Sequence, residues 1–137
     1  SQKSIKGLHI LLAEDNELNM EIAEFVIQNE GASVTKAWNG QEAVEVFKKS
    51  RPDEFDVILM DIMMPIKNGY EAAKMIRALD RDDAKTVPII AMTANAFTED
   101  RLKSKESGMN EHIAKPIDAK LLVKVISEFV ENKEEDS

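Results

Sequence analysis

The chain has 137 residues, of which 43% are hydrophobic and 32% charged, enough for one domain that buries a core without disulfide or metal staples. It contains no cysteine, which excludes a disulfide framework, a thiolate metal site and a cysteine nucleophile, and fits a reducing, cytoplasmic compartment. With 26 acidic against 18 basic residues the formal charge is -8, which excludes nucleic acid as a direct partner, and no apolar run approaches the roughly 18 residues of a membrane span.

Residues 1–7 are mostly polar, lack a signal-peptide core and read as an N-terminal extension. From Leu8, the run His9-Ile10-Leu11-Leu12-Ala13 is too short for a buried helix and ends in Glu14-Asp15-Asn16, which predicts a buried parallel strand. Leu18, Ile22, Phe25 and Val26 then recur at helical spacing, opposite Glu21, Glu24 and Gln28, and predict an amphipathic helix closed near Gly31. Val34 to Ala37 gives a second strand, and Asn39 caps a helix carrying Ala43, Val44 and Phe47, with Arg51-Pro52-Asp53 punctuating the return.

Asp56-Val57-Ile58-Leu59-Met60-Asp61 reads as a third, fully buried strand that ends on an acid. A Pro65 to Gly69 loop and a helix with Ala72, Ile76 and Leu79 follow. Ile89 to Thr93 repeats the strand pattern, a basic stretch with Arg101, Lys103 and Lys105 runs to Gly108, and His112 to Lys115 supplies the fifth strand. The last helix opens near Asp118 and carries Leu121, Leu122, Val125, Ile126 and Phe129, leaving a charged C-terminal tail over 132–137. Five strands alternating with single helices need right-handed crossovers, which predicts a three-layer, doubly wound α/β fold over 8–131.

In such a sheet the ligand crevice lies beyond the carboxyl ends of the strands. Four strands end there in groups suited to a phosphoryl group and a hard cation: Glu14 and Asp15, Asp61, Thr93 and Lys115. Converging carboxylates repel one another, and an oxygen-ligated Mg2+ at ~2.0 to 2.1 Å relieves that repulsion, with Mn2+ as an alternative. Asp15 and Asp61 are expected as direct ligands and Glu14 as a direct or water-mediated one, with a backbone carbonyl completing the set. Asp61 can then serve as a nucleophile toward phosphorus, while Thr93 offers a hydroxyl and Lys115 a compact cation.

The run Ile10-Leu11-Leu12-Ala13-Glu14-Asp15-Asn16, the segment Met60-Asp61-Ile62-Met63-Met64-Pro65 through Gly69, Met92-Thr93-Ala94 and Lys115-Pro116 resemble response-regulator receiver domains of two-component signalling. The wording around Asn95-Ala96 and Gly108-Met109-Asn110-Glu111-His112 is most similar to receivers of hybrid sensor histidine kinases. The resemblance implies a flavodoxin-like strand order 2-1-3-4-5. It makes Glu14 and Asp15 the acidic metal pair, Asp61 the phosphoacceptor, Met63 a metal ligand through its carbonyl, Thr93 the switch hydroxyl and Lys115 the phosphate-contacting lysine. His112 stands where the family usually has an aromatic switch residue, and the segment from Phe97 to Met109 is expected to repack with it. The implied partner is a histidine kinase or a histidine phosphotransfer domain, and the implied setting is a larger hybrid kinase with this segment in the cytosol.

Two other chemistries weigh against this one. A haloacid-dehalogenase-type phosphatase also uses a strand-end aspartate and magnesium but needs a second acid two residues later, where this chain has Met63. A flavodoxin-like mononucleotide binder needs a Gly- or Ser/Thr-rich phosphate loop after the first strand, where this chain has Glu14-Asp15. A degenerate receiver acting only as an interaction module would have no need of the intact acid, hydroxyl and lysine set. The expectation is therefore a phosphoacceptor that catalyses only its own phosphorylation and dephosphorylation.

Overall fold

A computed structural model describes residues 4–94 and 101–135, with the backbone alone for 131–135. Five strands form one parallel sheet: β1 (His9–Ala13), β2 (Ser33–Ala37), β3 (Val57–Asp61), β4 (Ile89–Thr93) and β5 (Glu111–Ala114), in the order β2-β1-β3-β4-β5. The central strands β3 and β4 are buried along their whole length, whereas the edge strand β2 is partly or fully exposed at every residue but Ala37. That is the pattern expected when helices cover both faces of a parallel sheet.

Side chains of the inner strands alternate between two cores. Leu11, Ile58, Met60 and Ile89 face one layer built from α2 (Gly40–Lys49) and α3 (Gly69–Arg77), with Ala43, Phe47, Ala72 and Ile76 opposite them. Ile10, Leu12, Val57, Leu59 and Ile90 face the other layer, from α1 (Glu17–Asn29) and α6 (Ala119–Glu135), with Met20, Ile27, Leu122 and Ile126 opposite. Asn39 and Asn68 cap α2 and α3 through side-chain oxygens, as Asn16 caps α1, so each of these helices starts on a side-chain signal present in the sequence.

Five features differ from expectation. On α1 the buried residues are Met20, Ala23 and Ile27, while Leu18, Ile22 and Phe25 are exposed, because the helix carries two apolar stripes and the smaller one fits the sheet. On α6, Leu121 is exposed and Phe129 only partly buried. That helix continues to Glu135, through residues expected in the charged tail. Within the N-terminal extension, Ile5 is buried in the α1/α6 core and Gly7 donates to the Gly31 carbonyl at 2.9 Å. A sixth described helix, α4 (Asp82–Thr86), lies between α3 and β4, and α5 (Arg101–Glu106) precedes β5.

The short α4 is held by charge. Arg81 Nε and Nη2 donate to the two oxygens of Asp83 at 2.6 and 2.7 Å, and Nη1 donates to the carbonyls of Phe47 and Ser50 at 2.9 and 3.1 Å. Asp83 Oδ2 also accepts the N–H of Asp53 at 2.9 Å, fixing a turn where Asp53 has φ 61. One ion pair thereby ties the end of α2, the turn before β3 and the start of α4 together.

Candidate functional site

Parallel register delivers the strand ends to a common edge. Ala13 pairs with Met60, Asp61 with Met92 and Thr93 with Ala114, so Glu14, Asp61, Thr93 and Lys115 leave neighbouring strands side by side. The Lys115 N–H donates to the Thr93 carbonyl at 2.8 Å, which locks the last two strand ends. The Lys115-Pro116 peptide that follows is cis.

The two buried acids are oriented by backbone. Glu14 is 2% exposed and its Oε1 accepts the N–H of Asn16 at 3.2 Å. Asn16, and not Asp15, caps α1, accepting from the N–H of Asn19 at 2.9 Å, which leaves Asp15 exposed at the crevice with no capping duty. Asp61 is 2% exposed, and its Oδ1 accepts the N–H of Met63 at 3.3 Å. The Met63 side chain itself is 77% exposed. Gly69 seals the loop behind: its N–H donates to the Ile62 carbonyl at 2.9 Å, and a Cβ there would stand 2.4 Å from the Asp61 carbonyl oxygen. No side chain fits between α3 and the strand end.

The carboxylates converge. One oxygen from each of Glu14, Asp15 and Asp61 lies within 4.8 Å of the others. Lys115 Nζ donates to Glu14 Oε2 and to Asp61 Oδ2, both at 2.9 Å. Burial pushes the Asp61 carboxyl up from 3.8 to about 6; the Lys115 hydrogen bond opposes this rise and the Glu14 carboxylate adds to it. Burial pulls the Lys115 ammonium down, but its hydrogen bonds and charge attraction to Asp61 and Glu14 outweigh that and leave it raised. A single ammonium therefore does not fully neutralise the cluster. Three carboxylates of which two are buried, with an apolar sheet beneath them, form an all-oxygen donor set that fits a hard divalent cation.

Thr93 is buried at the end of β4, one strand over from Asp61. His112 stands apart from the cluster: its Nε2 lies 2.7 Å from Oγ of Ser104, a buried residue of α5, so it bridges β5 to that helix. Asn95, Ala96 and Phe97 lie outside the described residues. Reading the sequence alone misses Asn16, Gly69 and Ser104. Asn16 and Gly69 carry signals, a capping residue after an acid pair and a glycine opening a helix, whereas nothing marks Ser104 as the histidine's partner.

The response regulator receiver domain family matches residues 10–127. The chain belongs to that family. As a receiver domain it is 33% identical to the polar-differentiation response regulator DivK of Brucella anthropi, over 88% of this chain and 94% of that protein. It is 36% identical to histidine kinase 1 of Arabidopsis thaliana over 92% of this chain, and spans only 13% of that protein's length. Among solved structures, the receiver domain of the sensor histidine kinase PA1611 from Pseudomonas aeruginosa PAO1, which has magnesium coordinated in its active-site cleft, is 37% identical, with a TM-score of 0.81 over 91% of this chain and 98% of that one. The fold and the strand order 2-1-3-4-5 are those of CheY-like receivers, as in a Vibrio cholerae CheY4 structure at 27% identity and a TM-score of 0.80, covering 90% of this chain and 98% of that one.

Proposed function

We propose that this receiver domain takes a phosphoryl group from a phosphohistidine onto Asp61. The observation that carries the reading is one buried carboxylate, Asp61, held by Lys115 at 2.9 Å and grouped with Glu14 and Asp15 within 4.8 Å. With its carboxyl at about 6, Asp61 is largely ionised at neutral pH and available as a nucleophile. An Asp61 oxygen attacks phosphorus in line, the P–N bond breaks, and the imidazole leaves with the electron pair.

Glu14, Asp15, Asp61 and the Met63 carbonyl are the groups that would hold Mg2+, which, when bound, neutralises charge on the transferring oxygens. Magnesium is preferred over Mn2+ because the similar Pseudomonas receiver is described with magnesium in its cleft. Lys115 lies against Asp61 already, and the Thr93 hydroxyl sits at the adjacent strand end. The new phosphoryl oxygens draw both residues inward, and the Lys115 N–H to Thr93 carbonyl bond moves them together. His112, bridged to Ser104, passes the rearrangement to α5 and so to an output partner.

The apolar face left exposed on α1 supports docking of a protein donor. Leu18, Ile22 and Phe25 are 64%, 39% and 70% exposed on the helix that starts two residues after Asp15, where a histidine kinase or phosphotransfer domain would approach the crevice. The greater length of the histidine kinase relatives supports a place within a larger hybrid kinase, and in that setting the segment would lie in the cytosol. The reading makes the chain a phosphoacceptor acting only on itself. Met63, with an exposed apolar side chain two residues after Asp61, supplies no second acid for phosphatase turnover. Incubation with a phosphohistidine-loaded phosphotransfer domain tests it: label should pass to the chain and not to its Asp61→Asn variant, and label persisting on the variant would refute the assignment.

A further inference from the structure

A second concave site lies on the α3–α5 side of the molecule, away from the carboxylates. A cavity of about 550 Å³ is lined by Arg77, Lys85, Arg101, Lys105, Glu111 and His112, floored by the 108–110 segment. Four cations meet one acid there, in a chain whose formal charge is -8. They come from three elements: Arg77 ends α3, Lys85 is on α4, and Arg101 and Lys105 stand one turn apart on α5. Residues four apart share a helix face, so the two α5 cations present to the cavity together.

The wall is already built. Arg77 Nε and Nη2 donate to the Gly108 carbonyl at 3.1 and 2.8 Å, Nη1 to the Ala84 carbonyl at 3.0 Å, and Nη2 to Asn110 Oδ1 at 3.0 Å. Burial lowers the Arg77 guanidinium from its ordinary value, yet an arginine stays charged throughout the physiological range. Gly108, at φ +97, packs so closely that a Cβ would lie 2.7 Å from Arg77 Cγ. Lys85 Nζ donates to the Arg77 carbonyl. Arg101 Nη1 lies 3.9 Å from Glu111 Oε1, and that carboxylate oxygen also accepts the N–H of His112 at 2.9 Å.

We propose that this cavity binds a small anion carrying several phosphate oxygens, a polyphosphate or the phosphate tail of a nucleotide. Four like charges gathered around one concavity from separate elements create a local positive potential that favours a multivalent anion. The volume falls within the roughly 300 to 1,000 Å³ of small-molecule sites. The lining is more polar than apolar, and its one large apolar side chain, Met109, is buried, so it offers no exposed apolar anchor of the kind that centres a protein interface. The ligand would touch α5 and β5 together. In the sheet His112 pairs with Ala91 and Ala114 with Thr93, so the cavity begins two residues, about 7 Å, below the phosphoacceptor edge.

The test is titration of the full chain, at low ionic strength, with tripolyphosphate, ATP and sulfate, followed by calorimetry and by amide shifts. Saturable one-to-one binding of tripolyphosphate is expected, with sulfate much weaker and shifts centred on Asn110, Glu111 and His112. Lys105→Glu and Arg101→Glu should each weaken it about tenfold or more, and Glu111→Gln should tighten it. Asp61→Asn should leave it unchanged, which separates this site from the phosphoacceptor crevice and its fate from that of the proposed function. ATP binding more tightly than tripolyphosphate would uphold the site with a nucleotide as ligand, and equal binding would uphold it with polyphosphate. Absence of saturable binding, equal weakening by the remote Lys124→Glu, loss in Asp61→Asn, or an acidic peptide binding at these residues without displacement by tripolyphosphate would overturn it.

Discussion

One ammonium serves two buried carboxylates: Lys115 Nζ lies 2.9 Å from Glu14 Oε2 and 2.9 Å from Asp61 Oδ2. Lysine thereby does, without a metal, part of what a divalent cation would do better. Removing it leaves two buried acids facing each other with no counter-charge. Lys115→Met should destabilise the metal-free chain at neutral pH by about 2 to 4 kcal/mol. The loss should shrink on mild acidification, as Asp61 takes up a proton, and on addition of Mg2+. Urea unfolding in the three conditions reads this directly, and equal losses in all three would contradict it.

Asp61 also makes stability depend on pH. Its carboxyl titrates at about 6 in the folded chain against 3.8 as the ordinary value, so the folded state binds the proton more tightly. Stability of the metal-free chain therefore falls as pH rises between those two values and levels off above them. Asp61→Asn removes this slope and should be more stable than the parent at neutral pH by roughly 1 to 2 kcal/mol, a figure reduced for solvent screening and for the lost Lys115 pair. Saturating Mg2+, which competes with the proton, should flatten the parent's profile and leave that of Asp61→Asn little changed. Unfolding midpoints across this pH range, for both proteins, check the sign.

The Arg81 and Asp83 pair is predicted to matter for folding and not for phosphorylation. Arg81 holds the Asp83 carboxyl below its ordinary value and the Asp53 N–H adds to that, against the opposing pull of burial. A depressed carboxyl contributes stability that is present above 3.8 and lost as pH falls through the folded value. Arg81→Ala leaves the buried Asp83 carboxylate without its cation and removes the guanidinium donor to the Ser50 carbonyl, and should cost about 2 to 3 kcal/mol. Thermal unfolding should show the loss, while phosphoryl uptake by the folded variant stays at the parent rate.

For α1 the opposite separation holds. Phe25 is exposed and contributes little to the core, so Phe25→Ser should leave the unfolding midpoint within about 0.5 kcal/mol of the parent. Transfer from a protein donor should slow several-fold, and uptake from a small phosphodonor should not change. A parallel loss of both rates would remove α1 from the docking surface.

The sheet was legible because its inner strands are short, apolar and bounded by acids or turn residues, a pattern that helices do not share. The candidate site was legible because four of the five strands lead into the groups that the register sets side by side at one sheet edge: Glu14, Asp61, Thr93 and Lys115. What periodicity could not decide was which of two apolar stripes on α1 faces inward, since Met20, Ala23 and Ile27 repeat as regularly as Leu18, Ile22 and Phe25. Packing against the sheet makes that choice. The α4 clasp was missed for a related reason: Arg81 and Asp83 look like surface charges until the chain brings the carbonyls of Phe47 and Ser50 beside them. Ser104 became the partner of His112 only through the placement of α5 on β5.

The central claim is that Asp61 is the phosphoacceptor and that its chemistry needs magnesium. Intact mass after incubation with a small phosphodonor, with and without Mg2+, for the parent and for Asp61→Asn, tests it most directly. The account predicts a single phosphoryl adduct on the parent that depends on Mg2+ and is absent from Asp61→Asn. An adduct that survives the substitution, or forms equally well without the metal, would contradict it.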